Sequence, residues 1–135
     1  MLDLPHRGVA PDMLGEVQPL LGVVGLDKAR IELDSTEIPE EVGRYMVAVA
    51  RMTRSLPDVE LGVSSRGIMH WASASKAAAR LNGRNHVAVE DAHEVAPFVL
   101  THRLIMQGDG KPEDALSAAF EQVPAPEPSA TFVYV

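Results

Sequence analysis

The sequence predicts an all-α fold: a small bundle of four or five helices, with an irregular N-terminal segment and a flexible C-terminal tail. Three observations lead there. Apolar residues recur at spacings of three and four in several stretches, which places them on one side of a helix. Proline and the Asn82-Gly83 pair punctuate those stretches where helices begin and end. The apolar content of 46% is rich in Ala and Val and includes only 4% aromatic residues, which suits close helix–helix contact better than a sheet of bulky aromatic pairs.

Residues 1–25 read as an irregular linker or N-terminal segment, because Pro5, Pro11, Pro19, Gly8, Gly15, Gly22 and Gly25 leave little uninterrupted backbone. A helical domain follows over 26–107, then a short helix and flexible tail over 108–135. Leu26 to Leu33 forms a short helix. Pro39 opens the next, with Glu40 and Glu41 complementing its N-terminal dipole. Val42, Tyr45, Met46, Val49 and Met52 make its apolar stripe, and Pro57 stops it.

After the loop PDVELGVSS, a third helix runs from Ser65 to Leu81, burying Ile68, Trp71, Ala72, Ser75, Ala78 and Ala79. Asn82-Gly83 ends it, since either residue accepts the left-handed backbone of a helix C-terminus. A short extended stretch spans Asn85 to Val89. The fourth helical region covers Glu90 to Met106, with Ala92, Val95, Ala96, Val99 and Arg103 on one side and a kink or break at Pro97. Pro112 to Gln122 is the last helix. The tail beyond it is read as disordered up to Ser129, and its terminal FVYV would dock only against a partner or an open edge.

Charge and composition exclude several function classes. A net charge of -7 repels a phosphate backbone, so nucleic acid is not expected as a partner. With no cysteine there is no disulfide, thiolate nucleophile or thiolate metal site. The opening MLDLPHRGVAPD has no signal-peptide pattern, and no apolar run approaches the roughly 20 residues that span a bilayer. The expectation is a soluble, cytoplasmic protein without membrane contact.

His6, His70, His86, His93 and His102 form no pair at metal-ligand spacing, and no metal site is expected. None of Ser64, Ser65, Ser73 and Ser75 lies in a nucleophile elbow, so no catalytic residue is expected. Trp71 reads as core. Asp58, Glu60, Glu90, Asp91 and Glu94 read as a solvated or helix-capping set, or equally as a docking face.

Three blocks carry a resemblance: RSLPDVELGVSSRG at 54–67, ARLNGRNHVAVEDA at 79–92 and APFVLTHRL at 96–104. In this order and spacing, they make the stretch from Ser35 to Met106 resemble the C-terminal lid domain of MoxR-type AAA+ ATPases. The resemblance implies that Arg66 is the sensor-2 residue, which contacts the terminal phosphate of ATP. Such a role is physically reasonable, because a helix N-terminus favours an anion and arginine adds a planar, permanently charged fork. It also implies ATP and Mg in the full-length parent, with none held by this chain alone. Its partners would be the AAA+ core domain, neighbouring subunits of a hexamer, and a von Willebrand factor A-type protein within a chaperone-like assembly.

Two departures stand out. Ser65 and Gly67 replace the family's Pro and Ala around the arginine, and Ala88-Val89 replaces its Thr-Pro, which weakens helix starts by loss of propensity and of a side-chain cap. The chain also contains no phosphate-binding G-x-x-x-x-G-K-[ST] loop and no hydrophobic strand ending in paired acids, so no catalysis is expected of it alone. The alternative is a stand-alone helical protein-interaction module without a nucleotide role. A helix-turn-helix reading lacks a dense basic stripe, since Arg66, Lys76, Arg80 and Arg84 are scattered.

Overall fold

The computed structural model describes residues 15–128. His6 and the FVYV segment lie outside them. The chain divides into two compact units, residues 1–31 and 32–135. The boundary falls within a helix, named α1 (Val23–Asp34). This helix begins three residues earlier than expected and runs through Gly25. It buries none of its residues.

In the second unit, α2 (Glu40–Ser55) starts after Pro39 and carries Glu40 and Glu41 in its first turn, as the sequence predicts. Its buried face is Val42, Tyr45, Met46, Val49, Ala50 and Thr53. Met52 is only half-buried at the edge of that stripe. Then comes α3 (Ser65–Leu81), with the predicted bounds. It ends on Asn82, and Gly83 takes a φ of +81°, a backbone region that costs other residues a Cβ clash.

Helix α4 (Val89–Leu100) packs along α3 in the most extensive helix–helix contact among the described residues. Ala78 and Ala79 on one side and Ala92 and Ala96 on the other leave room for the backbones to approach. Trp71 fills the space beside them. It is fully buried, its Nε1 donates to the Ala92 carbonyl at 2.8 Å, and its ring meets Phe120 edge-on at 6.1 Å. Burying a large aromatic residue with its N–H satisfied removes apolar area from water at no hydrogen-bonding cost.

The fourth region departs from expectation. The helix passes through Pro97 and ends at Leu100, followed by a 3-10 turn (Thr101–Arg103) and a short strand. Proline removes one ladder hydrogen bond, and the Thr101 hydroxyl then donates to the Pro97 carbonyl at 2.6 Å. Two strands, β1 (Val59–Leu61) and β2 (Ile105–Met106), pair antiparallel, with Val59 opposite Met106 and Leu61 opposite Ile105. The extended stretch expected near Asn85 is a parallel bridge of His86 with Glu37. Finally α5 (Pro112–Gln122) matches its prediction, with Pro112 in the first turn and Ala115, Leu116 and Ala119 buried. Residues 124–128 have no regular structure, and Ala125 to Pro128 line a small cavity with Pro39, Val42 and Val87.

These elements form the small helical bundle that the sequence predicts, with the β1–β2 ribbon as an addition. Among the described residues, no helix is long and apolar enough to cross a membrane.

Candidate functional site

Arg66 is the residue that the sequence singles out, and its position is set from α2. Thr53 is fully buried, and its hydroxyl accepts from the Val63 N–H at 3.0 Å. The Arg54 guanidinium donates to the Val63 carbonyl through Nε at 3.1 Å and Nη2 at 2.8 Å. Both backbone groups of buried Val63 are therefore held by the last turn of α2. Gly62 makes this approach possible: a Cβ there would sit 2.8 Å from the Arg54 backbone nitrogen and 2.8 Å from the Thr53 hydroxyl.

From this anchored residue the chain turns directly into α3. Ser64 is the N-cap, its Oγ accepting from the Gly67 N–H at 3.1 Å. This satisfies one of the donors left unpaired at a helix start. Arg66 lies one residue beyond Ser65 in the first turn, with its side chain exposed. Among the described residues it meets no carboxylate.

Gly67 is buried in the same turn. A Cβ on it would lie 2.9 Å from Val63 Cγ1 and 3.5 Å from Arg103 Cδ. Arg103, expected on one side of the fourth helical region with Ala92, Val95, Ala96 and Val99, instead comes from the 3-10 turn and lays its stem against α3. Its Nε is enclosed and has no acceptor among the described residues. Arg54 and Arg103 thus reach the start of α3 from two other elements, Arg54 at the Val63 carbonyl and Arg103 at Gly67.

The weakened start expected for α4 is compensated from within the helix. Ala88 supplies no side-chain cap, but the Asp91 carboxylate reaches back to accept from the Ala88 N–H at 2.8 Å. The same carboxylate accepts from Asn82 Nδ2 at 2.9 Å and pairs with Arg84. Asp91 is fully buried, so of the five acids read as one set it is the structural member. Asp58, Glu60, Glu90 and Glu94 are exposed.

The histidines also separate. His93 Nε2 lies 2.7 Å from the Tyr45 hydroxyl, and its ring packs 4.4 Å from that of Phe120. His86 is buried, while His70 and His102 are exposed. Among the described residues, no group of three or more His, Asp or Glu side chains is placed to hold a metal ion.

The family model for the AAA lid domain matches residues 51–123. The "Uncharacterized protein YeaC" of Bacillus subtilis (strain 168) is 34% identical over 80 residues, covering 59% of this chain and 25% of that protein. The fold is similar to the crystal structure of a Cytophaga hutchinsonii protein described as an ATPase. The TM-score is 0.69 at 22% identity, covering 74% of this chain and 34% of that one. The chain thus spans about a quarter of one relative and about a third of the other. A family match running from the end of α2 to the end of α5 takes in the anchored loop, Arg66 and Arg103, and by it the chain belongs to the AAA lid domain family.

Proposed function

We propose that this chain is the lid of a MoxR-type AAA+ ATPase and that Arg66 is its sensor-2 residue, closing on the terminal phosphate of ATP held by a core domain. The observation that carries the reading is the exposed Arg66 on a capped first turn, with no internal carboxylate engaging it among the described residues. An arginine locked in an internal ion pair would argue against that role.

The first turn of α3 fits a phosphate oxygen on chemical grounds. Its unpaired N–H groups and dipole favour negative charge, and the guanidinium fork adds directed donors. This chain's part is to bind and orient one end of the nucleotide; the phosphate-binding loop and the ligands of Mg belong to the core domain. Because Arg66 sits on a separate bundle, loss of the terminal phosphate becomes a change in where the lid rests.

The N-terminal unit supports association with a core. Val17, Leu20, Val24 and Ile31 are each at least two-thirds exposed, a density of uncovered large apolar side chains that marks interaction surfaces. Neighbouring subunits in a hexamer, a von Willebrand factor A-type partner, chaperone-like work and a cytoplasmic location complete the same proposal.

In the ATPase built on this lid, Arg66→Ala is expected to lower ATP turnover about tenfold or more, by loss of a charge aimed at the transferring group. The circular dichroism and thermal midpoint of the lid stay as they are. Unchanged turnover removes Arg66 from the mechanism, and a lost fold reassigns it to structure.

A further inference from the structure

We propose that Arg103 is a second phosphate-contacting residue, acting beside Arg66 on the triphosphate of a nucleotide. The inference rests on the proposed sensor role of Arg66 and extends it to a residue on a different element.

Arg103 is placed by packing. Its Cδ lies 3.5 Å from where a Cβ on residue 67 would sit, so its stem rests against the first turn of α3, beside the residue that follows Arg66. The 3-10 turn that follows α4 directs this approach. Had α4 continued to Met106, Arg103 would project from a helix rather than from this turn.

The donors of Arg103 are unspent. Its Nε is enclosed without an acceptor, and no carboxylate of the described residues pairs with its guanidinium. A buried donor left unsatisfied destabilises the fold. The chain has 19 acidic residues against 12 Lys and Arg, so acids to quench this arginine are in excess. Arg84, by contrast, is paired with buried Asp91. Two guanidinium groups from different elements, one held rigidly by its stem, suit a ligand with several anionic oxygens along its length. A triphosphate is such a ligand, and a single carboxylate is not.

The experiment uses the ATPase that carries this lid together with its core domain, labelled with nitrogen-15 on arginine, and follows the arginine Nε–Hε signals during titration with inorganic tripolyphosphate, ATP and adenosine. The expected result is that the Arg66 and Arg103 signals move together with tripolyphosphate and with ATP, and neither moves with adenosine. Arg103→Gln then weakens tripolyphosphate binding at least threefold, while Arg51→Gln, on the exposed side of α2, leaves it unchanged. A response of Arg66 alone overturns the role of Arg103 and leaves the sensor reading standing. Silence from both overturns the two together. Equal weakening by Arg51→Gln shows adventitious ion binding only and also overturns the proposal. If Arg103→Gln disturbs the fold, Arg103→Lys keeps the stem and the charge but removes the Nε–H. Undiminished binding in Arg103→Lys overturns the role assigned to the guanidinium fork.

Discussion

The Tyr45 hydroxyl and His93 Nε2 meet at 2.7 Å, tying α2 to α4, while Phe120 of α5 packs on the same imidazole. Burial raises the Tyr45 pKa, so the phenol stays protonated at neutral pH and can donate to a neutral imidazole. Partial desolvation lowers the His93 pKa, and the charge of Glu90 opposes that shift.

Stability therefore depends on pH through His93. The unfolded chain takes up a proton near the ordinary histidine value of about 6.5, and the folded chain only at lower pH. This contribution is complete above that value and is lost as pH falls through it toward the lower folded pKa. Thermal melts at pH 7.5 and 5.5 are expected to show a lower midpoint in acid, with the difference reduced in His93→Gln. An undiminished difference in the variant would assign the effect to other groups. Tyr45→Phe, which removes the hydroxyl alone, is expected to cost about 0.5–1.5 kcal/mol.

Asp91 joins the end of α3 to the start of α4. Its carboxylate accepts from Asn82 and Ala88 and pairs with Arg84 from a fully buried position. Removing one partner of a buried pair costs about 3–5 kcal/mol, and Asp91→Ala is expected in that range by urea denaturation. Glu94→Ala removes an exposed acid with one long contact to Asn82 at 3.3 Å and is expected to cost under about 0.5 kcal/mol. Similar losses for the two would mean that Asp91 is not the joint between these helices.

Gly62 and Gly67 are both buried, yet their substitutions differ. A Cβ at position 62 meets backbone, the Arg54 nitrogen at 2.8 Å, which cannot move without shifting the end of α2. Gly62→Ala is expected to cost about 1–3 kcal/mol, the usual penalty of forced overpacking. At position 67 the closest atom is a Val63 methyl at 2.9 Å, and helix propensity gains about 1 kcal/mol from Gly to Ala. Gly67→Ala is expected to lie within about 1 kcal/mol of the parent, as the gain offsets the crowding. The two denaturation midpoints decide the point; equal losses would contradict the packing around α3.

Helices α3 and α5 were legible to the residue because their ends carry local chemistry: Asn82-Gly83 after one, Pro112 before the other. The buried face of α2 was legible from its spacing. The ribbon was not, since strands of three and two residues are too short to display an alternating pattern. Asp91 looked like any acid of a first helical turn; its burial depends on Arg84 and Asn82 folding over it. Arg66 was marked by the resemblance of its block. Arg103 was misplaced, because the apolar spacing continued past Leu100 although the α-helix did not.

The grip of Thr53 and Arg54 on Val63 has a mechanical consequence. A segment between two helices ordinarily acts as a slack tether, absorbing displacement before passing it on. Here three hydrogen bonds clamp the residue just ahead of the N-cap to the last turn of α2. A push or pull applied to the start of α3 meets a stiff joint, and the two helices shift as a single lever. The useful stroke of such a lever must come from rotation of the bundle as a body, because so little travel is available inside it.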